Sequence, residues 1–439
     1  MNTPQTTAHT NRGDVLRFVL YSAIGIFMFF VPITLGGKST IPLDHIVTWL
    51  RDHLTAAVPY YALALILAGT VFPFVTGGWR ASPVKTVFAF MNILGLVVGC
   101  AMVFGVGPEW LMAKDIGPFL FDSLVIPVGL IVPIGAVFLA LLIGYGLMEF
   151  IGVFLQPVMR PVWRTPGRSA IDAVASFVGS YSLGLLLTDR VYREGRYTSR
   201  EAAIIATGFS TVSASFMVIV AKALDLMEHW LLYFWLALAV TFVVTAITVR
   251  IPPLSRVPDE PFPGVAHQPE KPVTGRRFHH AWVEARQALH CAPSLYRNVW
   301  ENLRDGLKMA MSILPSILSI GLLGLVLARY TPIFDWLGYL FVPFAWVVGL
   351  PEPLLAGKAS ATGIAEMFLP ATLVAGEDSL TLRLVIAIVC VSAIIFFSAL
   401  VPSILATKIP VSIGALVVIW FERVALSILI ATPLVRLLT

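Results

Sequence analysis

The residues best suited to bind a polar solute lie in one short segment of the second half of the chain. Lys358, Ser360, Thr362 and Glu366 fall within nine residues of an otherwise small and apolar sequence. A charged group in apolar surroundings is costly unless it is paired, so it points to function. If Lys358 faces a cavity, it favours an anionic group on the solute, such as a carboxylate. The alternatives are that Lys358 snorkels to the membrane surface or pairs with Glu366.

Hydroxyl groups are concentrated in three other stretches, Val178–Thr188, Ala206–Ser215 and Val391–Ala399. The candidate solute-binding residues in them are Ser180, Ser182, Thr188, Thr207, Ser210, Ser213, Ser392 and Ser398. Any single hydroxyl has a structural alternative, because serine and threonine also join membrane helices. As a group they favour the wall of a polar cavity. Oxygen atoms near Ser215 and Ser398 would also suit a sodium ion.

Two adjacent charged residues, Glu422 and Arg423, fall in the middle of the last apolar segment. An isolated charge at that depth is costly. We expect the two residues to neutralise each other or to reach another helix as a structural clamp. A proton-coupling carboxylate at Glu422 is the alternative.

The sequence offers no sign of enzymatic chemistry. It contains no HExxH, no GxSxG and no phosphate-binding loop. Cys100, Cys291 and Cys390 lack the spacing of a metal site. We therefore expect neither an enzyme nor a bound cofactor, and no nucleic-acid partner.

The composition shows which medium surrounds these residues. Hydrophobic residues make up 58% of the chain and charged residues 13%, whereas soluble domains have about 25% charged residues. The bilayer is therefore the solvent, and about 20 apolar residues cross it. The predicted spans are Phe18–Leu35, Ala56–Val75, Val84–Val106, Phe119–Tyr145, Ala202–Leu224, Trp230–Val249, Met309–Ala328, Leu382–Ala406 and Val411–Leu437.

Two polar segments, Val178–Thr188 and Leu354–Pro370, are too short to cross the bilayer. Irregular backbone at that depth persists only against protein or a water-filled cavity. We predict that they belong to two re-entrant helical hairpins, hairpin 1 at about 170–198 and hairpin 2 at about 352–379. Their tips would meet around the solute.

Lysine and arginine predict the orientation, because basic loops stay in the cytoplasm. They are concentrated in Gly77–Lys85, Arg160–Arg200 and Arg250–Lys308. This distribution places the N-terminus inside and the C-terminus outside a bacterial-type inner membrane. The last of these loops combines a proline-rich linker with an amphipathic helix containing Tyr296 and Trp300, which we expect to lie on the inner surface.

The chain also carries an internal duplication. The spacing Gly152–Pro157 recurs as Gly338–Pro343, and Gly179–Ser182 recurs as Gly357–Ser360. Three crossings in each copy would turn the second copy upside down, an arrangement typical of secondary transporters. The predicted fold is an all-α, polytopic membrane bundle with two inverted repeats. Its regions are a loose N-terminus (1–17), scaffold spans (18–118), repeat 1 (119–250), a cytoplasmic linker (251–308) and repeat 2 (309–439).

The order span, interfacial helix, hairpin, polar span and span, present twice in 119–439, resembles the Gate (nucleoside-recognition) superfamily, most closely its YjiH-like members. Concentrative nucleoside transporters share this module. The resemblance implies a transport domain of two hairpins that moves against a scaffold in a homo-oligomer, a dimer or trimer. The acidic hairpin motifs that hold base and ribose in nucleoside transporters are not found, so the resemblance leaves the solute open.

Two functions remain. The first is a secondary active transporter, of elevator type, for a small polar organic solute that is amino-acid-, peptide- or nucleoside-like and that carries a carboxylate if Lys358 binds it. Sodium ions or protons would drive it. The second is a non-transporting or partner-gated scaffold subunit. The presence of both hairpins in one chain favours the first, whose partners are the bilayer, the solute and further copies of the chain.

Overall fold

The computed structural model describes residues 12–439 except for 32, 36–37, 82, 115, 179–180, 213, 271–274 and 276. Helices form nearly all of its regular structure, which confirms the all-α prediction. One short antiparallel ribbon pairs β1 (Ile33–Leu35) with β2 (Lys38–Thr40). Ser180 and Ser213 lie outside the described residues, as does most of the N-terminus that the sequence predicted to be loose.

The N-terminal part begins as a helix at Arg12, inside the segment expected to be loose. Its helices are α1 (Arg12–Phe30), α2 (Pro42–His53), α3 (Ala57–Val75), α4 (Pro83–Phe104) and α5 (Glu109–Met112). The rest of the first half contains a π-helical segment (Phe119–Val125), α6 (Ile126–Ile143), α7 (Leu147–Trp163), α8 (Ser169–Val178), α9 (Tyr181–Arg193), α10 (Ser199–Gly208), α11 (Ala214–Ala223) and α12 (Trp230–Thr248).

The second half of the chain begins after α12. Its helices are α13 (Arg277–Cys291), α14 (Leu295–Tyr330), α15 (Ile333–Gly338), α16 (Val342–Val347), α17 (Pro353–Thr362), α18 (Leu369–Val374), α19 (Leu380–Ser392), α20 (Leu400–Ala406) and α21 (Ile413–Leu438). Helix α14 packs against α3, α4 and α6. The approach is close at Gly69 and Gly95, where a side chain would collide with the α14 backbone.

The protein spans a membrane several times. In the described part of the chain, six helices are long and apolar enough to cross a bilayer. They are Ala57–Val75, Lys85–Phe104, Phe119–Phe138, Met227–Thr248, Leu295–Tyr330 and Ile413–Leu438. The outward faces of α3 and α4 carry exposed apolar side chains such as Val75 and Val97, which a bilayer would cover.

Two of the predicted spans, Ala202–Leu224 and Leu382–Ala406, are interrupted rather than continuous. The first divides into α10 and α11, and the second into α19 and α20. Side chains fix where α10 and α19 begin. Thr198 forms a capping box with Glu201, and Ser379 caps α19. The interruptions escape prediction from the apolar pattern because the freed backbone finds partners on distant helices, as described below.

The amphipathic segment of the linker is not a separate surface helix. It forms the first part of α14, which runs for 36 residues into the span. Its buried face carries Asn298 and Asn302, and its other face exposes Tyr296 and Trp300. The predicted amphipathicity is therefore present, in the first part of the same continuous helix that contains the predicted span.

Two pairs of short helices stand out, one that follows α7 and one that follows α15 and α16. Hairpin 1 consists of α8 and α9, and hairpin 2 consists of α17 and α18. That they are re-entrant in a bilayer stays a prediction. Gly152 of α7 lies against the backbone of Arg168, just before hairpin 1, and Gly338 of α15 lies against Lys358 in hairpin 2. The two matched glycines thus allow the same kind of close helix approach.

The second spacing match proposed for the duplication is wrong. Ser182 lies in α9, the second helix of hairpin 1, whereas Gly357 and Ser360 lie in α17, the first helix of hairpin 2. Ser182 and Ser360 therefore occupy different positions in their hairpins, and Gly179 lies outside the described residues. The inverted relation of the two halves stays a prediction.

The proline-rich linker folds back on hairpin 1. Ser199 N donates to Glu260 O at 2.7 Å, and Gln268 N donates to Gly195 O at 2.9 Å. At its end, the buried Glu270 carboxylate accepts hydrogen bonds from Gln156 Nε2 at 3.0 Å and from Gly167 N at 2.9 Å. Side chains and backbone N–H groups at the base of hairpin 1 thus form a site for one carboxylate of the linker.

Candidate functional site

Glu366 lies in the turn between α17 and α18, with 1% of its surface exposed. Phe368 N donates to Oε1 at 3.3 Å, and Ser398 Oγ donates to Oε2. In the part of the chain that the structure describes, no basic side chain forms an ion pair with Glu366. A carboxylate in this position is costly, which agrees with the functional role that the sequence predicted.

The interrupted segment 393–399 docks on the same turn. Phe397 N donates to Ile364 O at 2.7 Å, and Ser398 N donates to Ala365 O at 3.0 Å. These bonds satisfy backbone groups that a continuous helix would have paired internally. They explain how α19 can end at Ser392 and how the backbone of segment 393–399 can remain buried without being helical.

Hairpin 1 reaches the same segment from the other side. Tyr181, the first residue of α9, packs its ring edge-on against Phe396 with the centroids 5.6 Å apart. Phe396 is two residues from Ser398, the partner of Glu366. Both hairpins therefore converge on segment 393–399.

A cavity of about 300 Å³ adjoins Glu366. Its lining residues are Ile116, Phe119, Leu325, Ala328, Arg329, Glu366, Phe368, Leu369, Thr372 and Leu373. The rings of Phe119 and Phe368 stack at 5.5 Å. A mostly apolar pocket with few polar groups is typical of a small-molecule site. Of the predicted solute-binding residues that the structure describes, Glu366 lines this cavity.

The other predicted residues of hairpin 2 point elsewhere. Lys358 Nζ forms an ion pair with Asp335 Oδ1 of α15 at 2.7 Å, so the alternative in which Lys358 pairs with Glu366 is wrong. Thr362 Oγ1 donates to Ala359 O within its own helix at 2.7 Å. The buried Ser360 Oγ has no hydrogen-bond partner among the described residues. Solute binding by these three side chains stays a prediction.

Hairpin 1 contains a buried carboxylate that the sequence analysis missed. Asp172 of α8, 1% exposed, accepts hydrogen bonds from Thr188 Oγ1 at 2.7 Å and from Tyr197 Oη at 2.7 Å. The predicted ligand Thr188 is therefore bound to Asp172 within the hairpin. The predicted ligand Ser182 is also buried and belongs to α9. An acidic residue within an apolar segment is a signal that would have identified Asp172 from the sequence.

The remaining predicted hydroxyls lie in the interrupted helices. Thr207 Oγ1 donates to Ala203 O at 2.7 Å, and Ser392 Oγ donates to Ser427 Oγ at 2.6 Å. Both bonds are of the kind that stabilises helices and their packing. Ser210 is buried just after α10, and Ser215 belongs to α11. A sodium ion near Ser215 and Ser398 stays a prediction.

Glu422 and Arg423 do not form the predicted charge pair. Arg423 is fully buried and donates from Nε to Ser392 O at 2.8 Å and from Nη1 to Thr245 Oγ1 at 3.0 Å. Glu422 is half-buried, and its Oε2 atom has no hydrogen-bond partner among the described residues. Successive side chains on a helix diverge by about 100° because there are 3.6 residues per turn. Arg423 instead reaches α12 and α19, as the clamp hypothesis allowed.

A second cavity, of about 450 Å³, lies between α9 on one side and α3, α4 and α14 on the other. Charged residues border it. Asp189 forms an ion pair with Arg193 at 2.8 Å and accepts a hydrogen bond from Lys408 N at 2.7 Å. Arg193 also lies 3.5 Å from Asp305 of α14. The cavity therefore lies between α9 of hairpin 1 and α14, which the Arg193–Asp305 contact connects at its border.

Comparisons with known proteins agree with the membrane fold. The Gate family model, described as nucleoside recognition, matches residues 125–227. An uncharacterized protein of Alkalihalophilus pseudofirmus is 32% identical over 447 residues, which cover 97% of this chain and 94% of that protein. The sporulation integral membrane protein YlbJ of Bacillus subtilis is 32% identical over 89 residues, 20% of this chain and 22% of that protein.

Two solved structures of the protein CNTnw also align at 15% identity. The inward-facing, substrate-bound state has a TM-score of 0.40 and the alignment covers 97% of this chain and 93% of that one. An outward-facing variant has a TM-score of 0.48, with 94% and 98% covered. The assignment itself rests on the full-length relative and on the family model. The chain, a multi-span membrane protein, therefore belongs to the same family as its relative from Alkalihalophilus pseudofirmus, and its residues 125–227 match the Gate (nucleoside-recognition) domain.

Proposed function

We propose that this protein is a secondary active transporter of a small polar organic solute. The observation that carries the proposal is Glu366, a buried carboxylate that lines a cavity and also binds the interrupted segment of a neighbouring helix. A buried carboxylate without a cationic partner among the described residues lowers stability, so a structural role alone does not account for it.

The cavity indicates the kind of solute. Glu366 would accept hydrogen bonds from N–H or O–H groups, and Phe119 and Phe368 would pack on an apolar or planar part. An amino-acid-, peptide- or nucleoside-like solute has both features. A carboxylate on the solute requires a positive partner, which Lys358 supplies if it leaves Asp335.

Glu366 also provides a means of coupling. A carboxylate that binds Ser398 Oγ can take up a proton, or can coordinate a sodium ion with nearby hydroxyl and carbonyl oxygens. Either cation would neutralise the buried charge and so favour the contact between Glu366 and Ser398.

The proposed movement is of elevator type. The two hairpins and the interrupted helices would move together against α3, α4 and α14, in a dimer or trimer of the chain. The 450 Å³ cavity supports this division because it lies between α9 and those three helices. In this proposal the N-terminus lies in the cytoplasm and the C-terminus outside a bacterial inner membrane, an orientation that the lysine and arginine residues of the loops favour.

The test is uptake into proteoliposomes with a panel of radiolabelled amino acids, peptides and nucleosides, under a sodium gradient, a proton gradient or neither. We expect one solute class to accumulate under one gradient. Glu366→Gln should reduce that uptake at least about 100-fold if the carboxylate binds both solute and cation. Asp378→Asn, at an exposed carboxylate after the same hairpin, is the control and should leave uptake unchanged.

A second function, a partner-gated scaffold subunit, is favoured by the partial match to the sporulation protein. It predicts no accumulation of any solute under any gradient. It also predicts that Glu366→Gln alters the capture of a partner membrane protein rather than uptake. That pair of results would replace the transporter proposal.

A further inference from the structure

Two interrupted helices end deep in the protein, and each end exposes a backbone carbonyl. Helix α10 ends at Gly208 and α19 ends at Ser392. The last carbonyls of a helix lack partners within it, and the aligned peptide dipoles make this end partly negative. Both ends therefore need hydrogen-bond donors, and a positive charge stabilises them.

A single side chain serves both ends. Arg423 Nε donates directly to Ser392 O at 2.8 Å. Arg423 Nη1 donates to Thr245 Oγ1 at 3.0 Å. Thr245 Oγ1 has one proton of its own, within reach of Gly208 O at 3.0 Å and of Thr241 O at 2.7 Å. A chain of hydrogen bonds thus runs from Ser392 through Arg423 and Thr245 to Gly208.

The partly negative C-terminal ends of α10 and α19 stabilise the positive charge of Arg423. The side chain is fully buried, and within the described ranges no carboxylate forms an ion pair with it. A guanidinium presents several N–H groups in a fixed plane, so it can address two helix ends at once, which a lysine ammonium on a flexible stem cannot do in the same geometry.

We propose that Arg423 is the positioning residue that holds the non-helical segments after α10 and α19 in one fixed geometry, directly at Ser392 and through Thr245 at Gly208. This proposal rests on the proposed transport function for its purpose. The segment after Ser392 carries Phe396 and Ser398, the contacts to hairpin 1 and to Glu366. The segment after Gly208 carries Ser210 and Thr211, both buried.

The test is hydrogen–deuterium exchange of the full-length protein in detergent, read on peptides that cover 205–212 and 393–399. Arg423→Met should speed exchange about tenfold in both peptides, since Ser392 O loses a charge-assisted hydrogen bond and Thr245, the donor to Gly208 O, loses the guanidinium that positions it. Thr245→Val should speed exchange in 205–212 alone, because Arg423 still reaches Ser392. Thr245→Ser keeps the hydroxyl and should change neither peptide.

Two further variants separate positioning from general stability. Arg423→Lys keeps a positive charge and should restore slow exchange in one peptide at most. Glu422→Gln, at the neighbouring residue on the same helix, should change neither peptide. The proposal is overturned if Arg423→Met leaves both peptides unchanged, if Thr245→Val affects both equally, or if every variant speeds exchange throughout α12 and α21. If Arg423→Met does not fold, the threonine and lysine variants still decide it.

Uptake supplies the second readout. For the solute found in the panel, Thr245→Val should raise KM about tenfold with little change in maximal rate, as a displaced binding segment would, and Thr245→Ser should restore KM. An unchanged KM with the expected exchange pattern would show that the clamp does not serve the binding site. If no solute is transported, the proposed function fails, while the exchange pattern still tests the role of Arg423.

Discussion

The Nη2 atom of Arg193 in α9 lies 3.5 Å from Oδ2 of Asp305 in α14, and this ion pair joins hairpin 1 to the longest helix. Asp189, one turn before Arg193, binds Arg193 Nε at 2.8 Å and Lys408 N at 2.7 Å. One small group of charges therefore ties hairpin 1 both to α14 and to the turn after α20.

These contacts should differ in strength. Asp305→Asn should lower stability by less than about 1 kcal/mol, because both partners are partly exposed and such pairs are weak. Asp189→Asn should cost about 1–3 kcal/mol, since it weakens a buried, charge-assisted hydrogen bond and an ion pair. Thermal unfolding in detergent measures both, with Glu301→Gln, at an exposed pair to Arg297, as the control. Equal losses for the two aspartates would refute this ranking.

Gly338 should tolerate no side chain. An added Cβ would lie 2.7 Å from Lys358 N and 2.8 Å from Lys358 Cα, so α15 and hairpin 2 would have to separate. Gly338→Ala should therefore cost about 1–3 kcal/mol by overpacking. Gly414→Ala is the matched control, because no atom lies within 4 Å of its added Cβ and alanine favours the helix. Gly338→Ala melting like the wild type would contradict the contact.

The Asp172 site should depend on its two donors. Tyr197→Phe removes the hydrogen bond to Oδ2 and leaves a buried carboxylate half-satisfied, at a cost of about 1–3 kcal/mol. Thr188→Val should cost a similar amount for the same reason. Tyr296→Phe, at a side chain that is 82% exposed, should change the melting temperature little. Loss of stability in the control alone would show that the network is unimportant.

Glu270 should hold the linker on hairpin 1. Glu270→Gln keeps the size of the side chain but loses the charge facing Arg160 and Arg168, at 3.5 and 3.9 Å. Limited proteolysis should cut the linker about tenfold faster in this variant, as the loss of one charge-assisted contact implies. Asp259→Asn breaks an exposed contact to Arg200 and should leave the cleavage rate unchanged. Identical cleavage of Glu270→Gln and wild type would show that other contacts suffice.

The sequence predicted the spans at α12 and α21 well because a long apolar run defines them locally. The span predicted at Phe18–Leu35 is partly wrong, since α1 ends at Phe30 and Ile33–Leu35 forms β1. Helix α21 begins after Ser412, whose side chain caps it, and α12 follows its predicted span to within a residue. The all-α architecture followed from the same local features and is confirmed. The resemblance to the Gate superfamily followed from the order of the elements in 119–439, and the match of the Gate family model to residues 125–227 confirms it.

The interruptions at Gly208 and Ser392 could not be located in this way. They depend on bonds between segments far apart in sequence, such as Phe397 N to Ile364 O and Arg423 Nε to Ser392 O. No local propensity encodes such partners. For Glu422 and Arg423 the sequence left open whether they neutralise each other or reach another helix. The helical geometry that separates adjacent side chains favours the second alternative, which Arg423 adopts.

Of the candidate site, the sequence identified Glu366 and the region that holds Ser398. It missed Asp172 and Thr245, and it gave Lys358 a central place although Asp335 is its partner. Asp335 lies 23 residues away on another helix, so the pair is a product of packing.

The folded-back linker makes the two halves of the molecule mechanically unequal. It covers the base of hairpin 1 through Glu260, Gln268 and Glu270, whereas hairpin 2 is held at its corresponding edge by Gly338 and the Lys358–Asp335 pair. Because the linker belongs to the same chain, a movement of hairpin 1 against α3, α4 and α14 would either carry residues 260–270 along or break the hydrogen bonds that they make.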